Sequence, residues 1–234
     1  MTYYILSVTF SEQYRTGLLL VACAPTGITT LVLGRYIKGC NYHLVLSNFF
    51  FITFGSVFYI PILLKFILNQ AISLETSPYT LLGQMALLVL LPYLLSQTMV
   101  HLLHQQWLVR HKNISKGFTL ILLFCIVAVS IGKVADQLTW NVDSMWLAIT
   151  VLAIYLVHGG LGYAIGWVWN NAELKKTLPF ISSSRNIQLV FAIAVLNFPP
   201  LTYVPIIMGL FFLHLTNAFW LWILGRNRLP DLPD

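Results

Sequence analysis

The strongest constraint on this chain is a series of apolar stretches, each long enough to cross a lipid bilayer as a helix. A helix needs about 20 apolar residues to span a hydrocarbon core about 30 Å thick. Seven stretches meet that length, at roughly 16–34, 42–68, 79–103, 117–135, 144–169, 177–197 and 201–224. The ten-residue alternation typical of a membrane β-barrel is absent. The sequence therefore predicts an all-α polytopic membrane protein with about seven transmembrane helices.

The composition also indicates a chain that is embedded in a lipid bilayer. Of its 234 residues, 58% are hydrophobic and only 9% are charged, whereas a soluble domain carries about 25% charged residues. A soluble enzyme, a disordered chain and a nucleic-acid partner are therefore excluded, and the lipid bilayer is the expected partner. The three cysteines form no CxxC motif and no cluster with histidine, so neither a metal site nor another cofactor is expected.

The positive charges predict how the spans are oriented. Cytoplasmic connections of membrane proteins are enriched in lysine and arginine. Here every second connection, and the carboxyl-terminal tail, is basic: Arg35 and Lys38, then Arg110, Lys112 and Lys116, then Lys175 and Lys176, and finally Arg226 and Arg228. The sequence thus predicts a multi-pass protein of the cell membrane (the inner membrane in a Gram-negative bacterium) with a cytoplasmic carboxyl terminus.

The amino-terminal segment does not fit a complete set of spans. Seven spans and a cytoplasmic carboxyl terminus put the amino terminus outside, yet residues 3–10 are apolar and too short to cross. They lack the basic flank and cleavage site of a signal peptide. We expect this segment to be the end of a helix whose beginning is missing, so that an amino-terminal part is a further candidate partner.

Two spans carry helix breakers or charge at membrane depth, where such residues mark functional sites. In the first span, Pro25 and Gly27 interrupt an apolar run that also holds Thr26, Thr29 and Thr30. Proline removes a backbone donor and glycine loosens the helix, so a break is predicted there. The threonines either contact a substrate or bond to their own helix backbone.

The sixth span contains Pro179, a serine run at 182–184, and then Arg185 and Asn186. Arg185 lies nine residues beyond Lys176, or about 13.5 Å at 1.5 Å per residue, which is close to the midplane. An arginine there costs at least about 2.5 kcal/mol on insertion scales, so it is expected to be paired, hydrated or functional. It either serves a binding site or bonds carbonyl groups that the break leaves free.

The two broken spans are predicted to have opposite orientations in the membrane, because four spans lie between them and they are therefore five positions apart, an odd number. That is the pattern of an inverted repeat in which discontinuous helices cross at the midplane and bind substrate. A repeat of five plus five needs ten spans, so three are missing at the amino end. We interpret the chain as a single membrane domain, 1–234, with core-like helices at 16–68 and 144–224 and panel-like helices at 79–135.

The sequence resembles the bile acid:sodium symporter family from about Thr16 to Leu224. The resembling motifs are Cys23-Ala24-Pro25-Thr26-Gly27-Ile28-Thr29-Thr30 followed by Tyr36-Ile37-Lys38-Gly39, His158-Gly159-Gly160-Leu161-Gly162-Tyr163, Arg185-Asn186-Ile187-Gln188-Leu189, and Val204-Pro205 with His214. By this resemblance they belong to helices four to ten of a ten-helix transporter.

The resemblance also implies that the sodium sites are degenerate. The family binds sodium through an acidic residue and a glutamine on the ninth helix and through further oxygen ligands on the fourth and fifth. The matching positions in this chain are Ile181, Arg185, Thr30, Leu31, Leu44 and Asn48. A sodium ion needs several oxygen ligands and nearby negative charge, so sodium coupling is doubtful.

These features predict a secondary transporter of a small organic anion, working by alternating access around crossed broken helices. The predicted substrate-binding residues are Thr29, Thr30, Ser182, Arg185, Asn186 and His214. His158 is a second deep histidine that is a candidate for the cavity, whereas the glycines at 159, 160, 162 and 166 are expected to permit close helix packing.

Two other functions stay open at this stage. A non-transporting truncated remnant would explain the missing helices and the lost sodium ligands. An intramembrane enzyme of the serine–histidine kind would need Ser182, Ser183 or Ser184 beside His158 or His214. No G-x-S-x-G or H-E-x-x-H motif supports an enzyme, so no catalytic residue is predicted.

Overall fold

The chain is represented by a computed structural model that describes residues 10–68, 78–102 and 142–224, together with a few isolated positions between 121 and 135. The predicted span at 117–135 lies outside the continuously described residues. In the described parts, helices account for nearly every residue, and the chain is an all-α polytopic membrane protein. Their bounds are Glu12–Cys23 (α1), Thr29–Leu33 (α2), Tyr42–Leu68 (α3), Pro78–Leu102 (α4), Val142–Val168 (α5), Ala172–Ser183 (α6), Ile187–Asn197 (α7) and Tyr203–Leu224 (α8).

Four of the described helical stretches are long and apolar enough to cross a membrane. They are Tyr42–Phe66, Tyr79–Met99, Asp143–Val168 and Pro200–Leu224. The first and sixth predicted spans are each divided in two instead. The first comprises α1, a break, α2 and a 3-10 turn over Gly34–Tyr36, and the sixth comprises α6, a break and α7.

The helix that carries the start of the sixth predicted span is longer than the span. The apolar stretch was predicted from about 177, after a connection holding Lys175 and Lys176, but α6 begins at Ala172 and contains both lysines. Asn171 caps the helix, because its side-chain oxygen accepts hydrogen bonds from the amides of Glu173 and Leu174. Such a cap stabilises the start of a helix by satisfying amide groups that have no helical partner, so α6 begins before its sequence becomes apolar.

The chain divides into two compact units. One comprises Met1–Ser56 and Trp140–Asp234, and the other comprises Val57–Thr139. Within the first unit, α8 packs against α1, α5, α6 and α7. Its central position explains the buried apolar side chains along α8. The assignment of helices to core and panel stays a prediction.

Helices α5 and α6 form an antiparallel hairpin held together by glycines. Asn170 adopts a positive φ of 47° in the short connection, a conformation that asparagine tolerates better than most residues. A Cβ on Gly166 would lie 2.7 Å from the backbone nitrogen of Lys175, and one on Gly162 would meet Ser182 Oγ and the Leu178 carbonyl. The predicted packing role therefore holds at both glycines. At Gly160, a Cβ would meet none of the described residues within 4 Å, so the packing role stays a prediction there.

Candidate functional site

The breaks in the two divided spans meet and form one hydrogen-bonded backbone unit. The amide of Gly27 donates to the carbonyl of Ser184 at 2.9 Å, and the amide of Asn186 donates to the carbonyl of Pro25 at 2.6 Å. Thr26 and Arg185 thereby pair as a two-residue antiparallel bridge. Each break leaves backbone groups without helical partners, and these bonds satisfy several of them. We call the segments 24–28 and 184–186 together the crossover.

The crossover requires a residue without a side chain at position 27. A Cβ on Gly27 would lie 2.7 Å from the carbonyl oxygen of Arg185 and 3.3 Å from the amide nitrogen of Asn186. Because both neighbours are backbone atoms, neither can move aside without separating the two breaks. The glycine seen in the sequence therefore serves the close approach of the two chains as well as the loosening of the helix.

Hydroxyl groups surround this backbone unit. Thr26 Oγ1 donates to Asn48 Oδ1 at 2.8 Å and lies 3.3 Å from the carbonyl oxygen of Ile181. Thr29 Oγ1 and Ser184 Oγ are 2.8 Å apart and share a hydrogen bond. These contacts join α3 and both breaks through short polar side chains, all within the first compact unit.

Arg185 places its positive charge at the end of α1. Its Nη1 donates to the carbonyl oxygen of Ala24 at 2.8 Å and lies 3.5 Å from that of Ala22. The last carbonyls of a helix carry partial negative charge and stabilise a nearby cation. Arg185 is also within electrostatic range of Cys23, Tyr155 and His158. The guanidinium thus bonds carbonyls freed by the break, one of the two roles considered from sequence.

Crossed discontinuous helices with polar groups at membrane depth are the architecture of many secondary transporters. A family model described as the SBF-like CPA transporter family matches residues 2–219 of this chain. The chain belongs to the SBF-like CPA transporter family. It is also similar to a protein of Bacillus subtilis (strain 168) described as uncharacterized protein YbaS, with 24% identity over 222 residues, which cover 93% of this chain and 71% of the relative.

Membership in the SBF-like CPA transporter family agrees with the symporter-like resemblance found in the sequence, and it makes the chain a member of a transporter family. The finer assignment to helices four to ten stays a prediction.

The predicted substrate-binding residues divide into three groups. Thr29, Arg185 and Asn186 lie at the crossover, where Asn186 Oδ1 accepts from the amide of Leu189 and caps α7. Thr30 and Ser182 bond instead to carbonyls of their own helical turns, those of Gly27 and Leu178. His214 has an exposed side chain on α8. Contact of any of these residues with a substrate stays a prediction.

The positions predicted from sequence to be degenerate sodium sites have the following surroundings, and their relation to a sodium site stays a prediction. Asn48 Oδ1 accepts the Thr26 hydroxyl, and Thr30 Oγ1 donates to the Gly27 carbonyl. Ile181 offers only its backbone carbonyl, which Thr26 approaches, and Leu31 and Leu44 have apolar side chains. Within the described residues, no group of three or more His, Cys, Asp or Glu side chains could hold a metal ion.

Several polar residues in the unit were missed from sequence. Tyr155 is buried on α5 and its hydroxyl donates to the carbonyl of Gly209 at 2.9 Å. Asn217 is 2% exposed, and among the described residues neither of its side-chain polar atoms has a hydrogen-bond partner, nor has the indole nitrogen of Trp220. The indole packs over Gly159. The sequence offered one signal for these residues, the polar Asn217 inside an apolar span, but no motif distinguished it.

A second polar cluster joins the two divided spans at the end predicted to be cytoplasmic. Lys176 Nζ donates to the carbonyl of Lys38 at 2.7 Å, and Asn41 Nδ2 donates to Glu173 Oε2 at 3.1 Å. Thr177 Oγ1 lies 3.5 Å from Cys40 Sγ. Burial raises the pKa of the Cys40 thiol above its ordinary value, and the nearby Glu173 carboxylate raises it further, against the opposing effect of the Thr177 hydrogen bond.

Proposed function

We propose that this chain is a secondary transporter of small organic anions in which the fixed guanidinium of Arg185 replaces a bound sodium ion. The observation that carries the proposal is the hydrogen bond from Arg185 Nη1 to the Ala24 carbonyl, 2.8 Å long, within the crossover. It holds a permanent cation against the carbonyl end of α1, a position that favours positive charge.

The charge around the crossover supports an anionic substrate. The carboxylates of the described residues are Glu12, Asp143 and Glu173, each exposed in the first turn of a helix. None of these three described carboxylates lies near the middle of a span, where Arg185 places its positive charge. A guanidinium offers a forked set of donors that suits a carboxylate or a sulfonate.

The hydrogen bonds around the crossover argue against sodium coupling. The hydroxyl of Thr30 and the amide oxygen of Asn48 already have protein partners. An apolar side chain occupies the acidic position, at Ile181. A sodium ion would have to displace these bonds and bind beside a guanidinium without a carboxylate to compensate, which is unfavourable.

The transport mechanism we propose is alternating access around the crossed breaks of the two divided spans. The serine–histidine enzyme gains no support, because Ser182 and Ser183 donate to carbonyls of their own helix and His158 Nδ1 bonds to the Ile154 carbonyl.

The test is uptake of radiolabelled benzoate and taurocholate by liposomes that contain the purified protein. Arg185→Gln should abolish uptake of both anions, and Arg185→Lys should reduce it about tenfold because the charge remains and the fork is lost. Arg35→Gln changes an exposed arginine beside Tyr42 and serves as the matched control. Unchanged uptake by folded Arg185→Gln, or no uptake by the wild-type protein, would reject the proposal.

A further inference from the structure

We infer that Asn217 and Trp220 bind an ordered water molecule where α8 packs against α5. The site is built from residues that the proposed function does not use, so the inference stands apart from transport. It rests on buried polar groups of α8 that have no hydrogen-bond partner among the described residues, and on the side chains that surround them.

Asn217 carries the larger part of this unpaired polar surface. Its side chain is 2% exposed, and neither Oδ1 nor Nδ2 has a partner among the described residues. The adjacent Thr216 is equally buried, but its hydroxyl donates to the Phe212 carbonyl of its own helix at 2.8 Å. Burying an unpaired amide is costly, so buried polar side chains nearly always bond to protein or to water. Asn217 therefore calls for a bonding partner.

The indole nitrogen of Trp220 is a second unpaired group on the same helix face. Trp220 is 7% exposed, and its Nε1 also lacks a partner among the described residues. Both residues lie inside the continuous helix α8, where residues three apart are neighbours. A long helical side chain lies over the turn that precedes its own Cα, which for Trp220 is the turn that holds Asn217. The unpaired groups thus share one patch of the helix surface.

Close packing against α5 holds the indole in place. A Cβ on Gly159 would lie 2.5 Å from Trp220 Nε1, so the edge of the ring that carries the N–H rests on the α5 backbone. The side chains packed around Trp220 belong to Leu33, Ile37, Cys40, Phe180, Leu221 and Leu224. Five of these six side chains are hydrocarbon and the sixth is a thiol, so none offers the indole a strong acceptor.

The set of donors and acceptors selects water over an ion. The two side chains offer the N–H groups of the amide, the N–H of the indole and one carbonyl oxygen. An anion would leave Asn217 Oδ1 facing negative charge, and a cation would meet N–H donors and a single oxygen. Water both donates and accepts and has no charge to desolvate. Buried waters typically make about three hydrogen bonds to groups that otherwise lack partners.

The experiment is NMR spectroscopy of the full chain in detergent micelles, with an isotopic label in the tryptophan indole nitrogens. Trp220→Phe identifies the Trp220 signal by its loss. Bound water transfers magnetisation to a nearby indole proton by dipolar cross-relaxation, and in the rotating frame this transfer has the opposite sign to proton exchange with solvent. We expect this transfer at Trp220 in the wild-type protein and its loss in Asn217→Leu, which removes both polar atoms of the amide.

A matched control and a second measurement complete the design. Thr216→Val changes a buried polar residue whose hydroxyl already has a partner, so the transfer at Trp220 should persist. The side-chain amide protons of Asn217 in the wild-type protein should show the same transfer, which tests the inference even if Asn217→Leu does not fold. Absence of the transfer at either group in the wild-type protein, or an unchanged transfer at Trp220 in folded Asn217→Leu, overturns the inference.

Discussion

The amide of Asn186 donates to the carbonyl of Pro25 across 2.6 Å, and this bond joins two helix breaks that are far apart in sequence. Pro25 lacks a backbone donor, so the helix around it is interrupted and nearby carbonyls need partners from elsewhere. Asn186 supplies one through its backbone while its side chain caps α7. The two interruptions therefore stabilise each other, and damage to either break should affect both divided spans.

Gly27→Ala tests this mutual stabilisation directly. The added Cβ would lie 2.7 Å from the carbonyl oxygen of Arg185, so the breaks must separate or strain. We expect the free energy of unfolding to fall by about 1–3 kcal/mol, the usual cost of overpacking, which lowers the melting temperature in detergent. Gly55→Ala, at a helical position where a Cβ meets nothing within 4 Å, is the control. Equal stability of the two variants would contradict the crossover.

Alanine substitutions at Gly162 and Gly160 distinguish the effect of close packing from the effect of helix propensity. Gly162→Ala places a methyl group against Ser182 and the Leu178 carbonyl, whereas Gly160→Ala, two residues earlier, enters open space. We expect the first variant to melt at a lower temperature and the second to be neutral or slightly more stable, because alanine favours helix over glycine. Thermal unfolding of both proteins in one detergent decides the matter, and the reverse order would show that α5 and α6 do not meet as described.

Sodium removal should not affect transport. The Asn48 amide oxygen and the Thr30 hydroxyl bond within the protein, and Ile181 is apolar at a position predicted from sequence to match an acidic sodium ligand. Replacing sodium by choline in the uptake assay with benzoate and taurocholate is therefore expected to change the initial rate less than about twofold. Loss of an ion that binds together with the substrate would reduce the rate much more, because a bound ion stabilises the state to which it binds. A steep dependence on sodium would show that other oxygens form an ion site.

The thiol of Cys40 should react slowly with maleimides. Burial and the Glu173 carboxylate both raise its pKa, so less thiolate is present at neutral pH than in an ordinary cysteine. The alkylation rate should therefore still rise with pH above pH 9, by about tenfold per pH unit while the thiol is mostly protonated. In a background lacking Cys23 and Cys125, Glu173→Gln should speed alkylation about twofold, since a negative charge is removed. Glu12→Gln, at an exposed carboxylate on α1, should leave the rate unchanged.

Labelling of single cysteines in intact cells tests the predicted orientation. Lys38 and Pro199 are both exposed and lie in connections predicted to face opposite sides. A membrane-impermeant maleimide should label Pro199→Cys in intact cells and Lys38→Cys only after the membrane is opened, because basic connections stay in the cytoplasm. Labelling of both from outside would require a different topology.

The sequence was sufficient to predict the class of fold and both breaks. Pro25, Gly27 and Arg185 are costly inside a membrane helix, so their positions pointed to interruptions without any tertiary information. The pairing of Gly27 with Ser184 was not predictable, since it depends on the relative heights of two distant segments. The extension of α6 back to Ala172 was missed because an apolar window marks only the part of a helix that lies in lipid, whereas Asn171 caps the whole helix.

The same limit applies to the polar residues of the first unit. Thr30 and Ser182 bond to carbonyls of their own helical turns, as hydroxyl side chains commonly do. Thr29 instead bonds to Ser184, and residue type alone could not predict that difference. Asn217 and Trp220 are recognisable only from the neighbours that surround them, because their unsatisfied atoms are a property of packing.

The bond between Arg185 and Ala24 has a consequence for how membrane voltage acts on a transporter of the proposed kind. A sodium ion leaves its site after delivery, but a guanidinium is covalently part of the carrier and returns with it. Each positive charge that crosses the full field experiences about 2.3 kcal/mol per 100 mV, and a site that moves through part of the field experiences that fraction. When the empty carrier returns, it moves the positive charge of Arg185 through part of the field, and an interior-negative potential opposes that movement in the outward direction. Transient currents in the absence of any anion would be the electrical signature of this step.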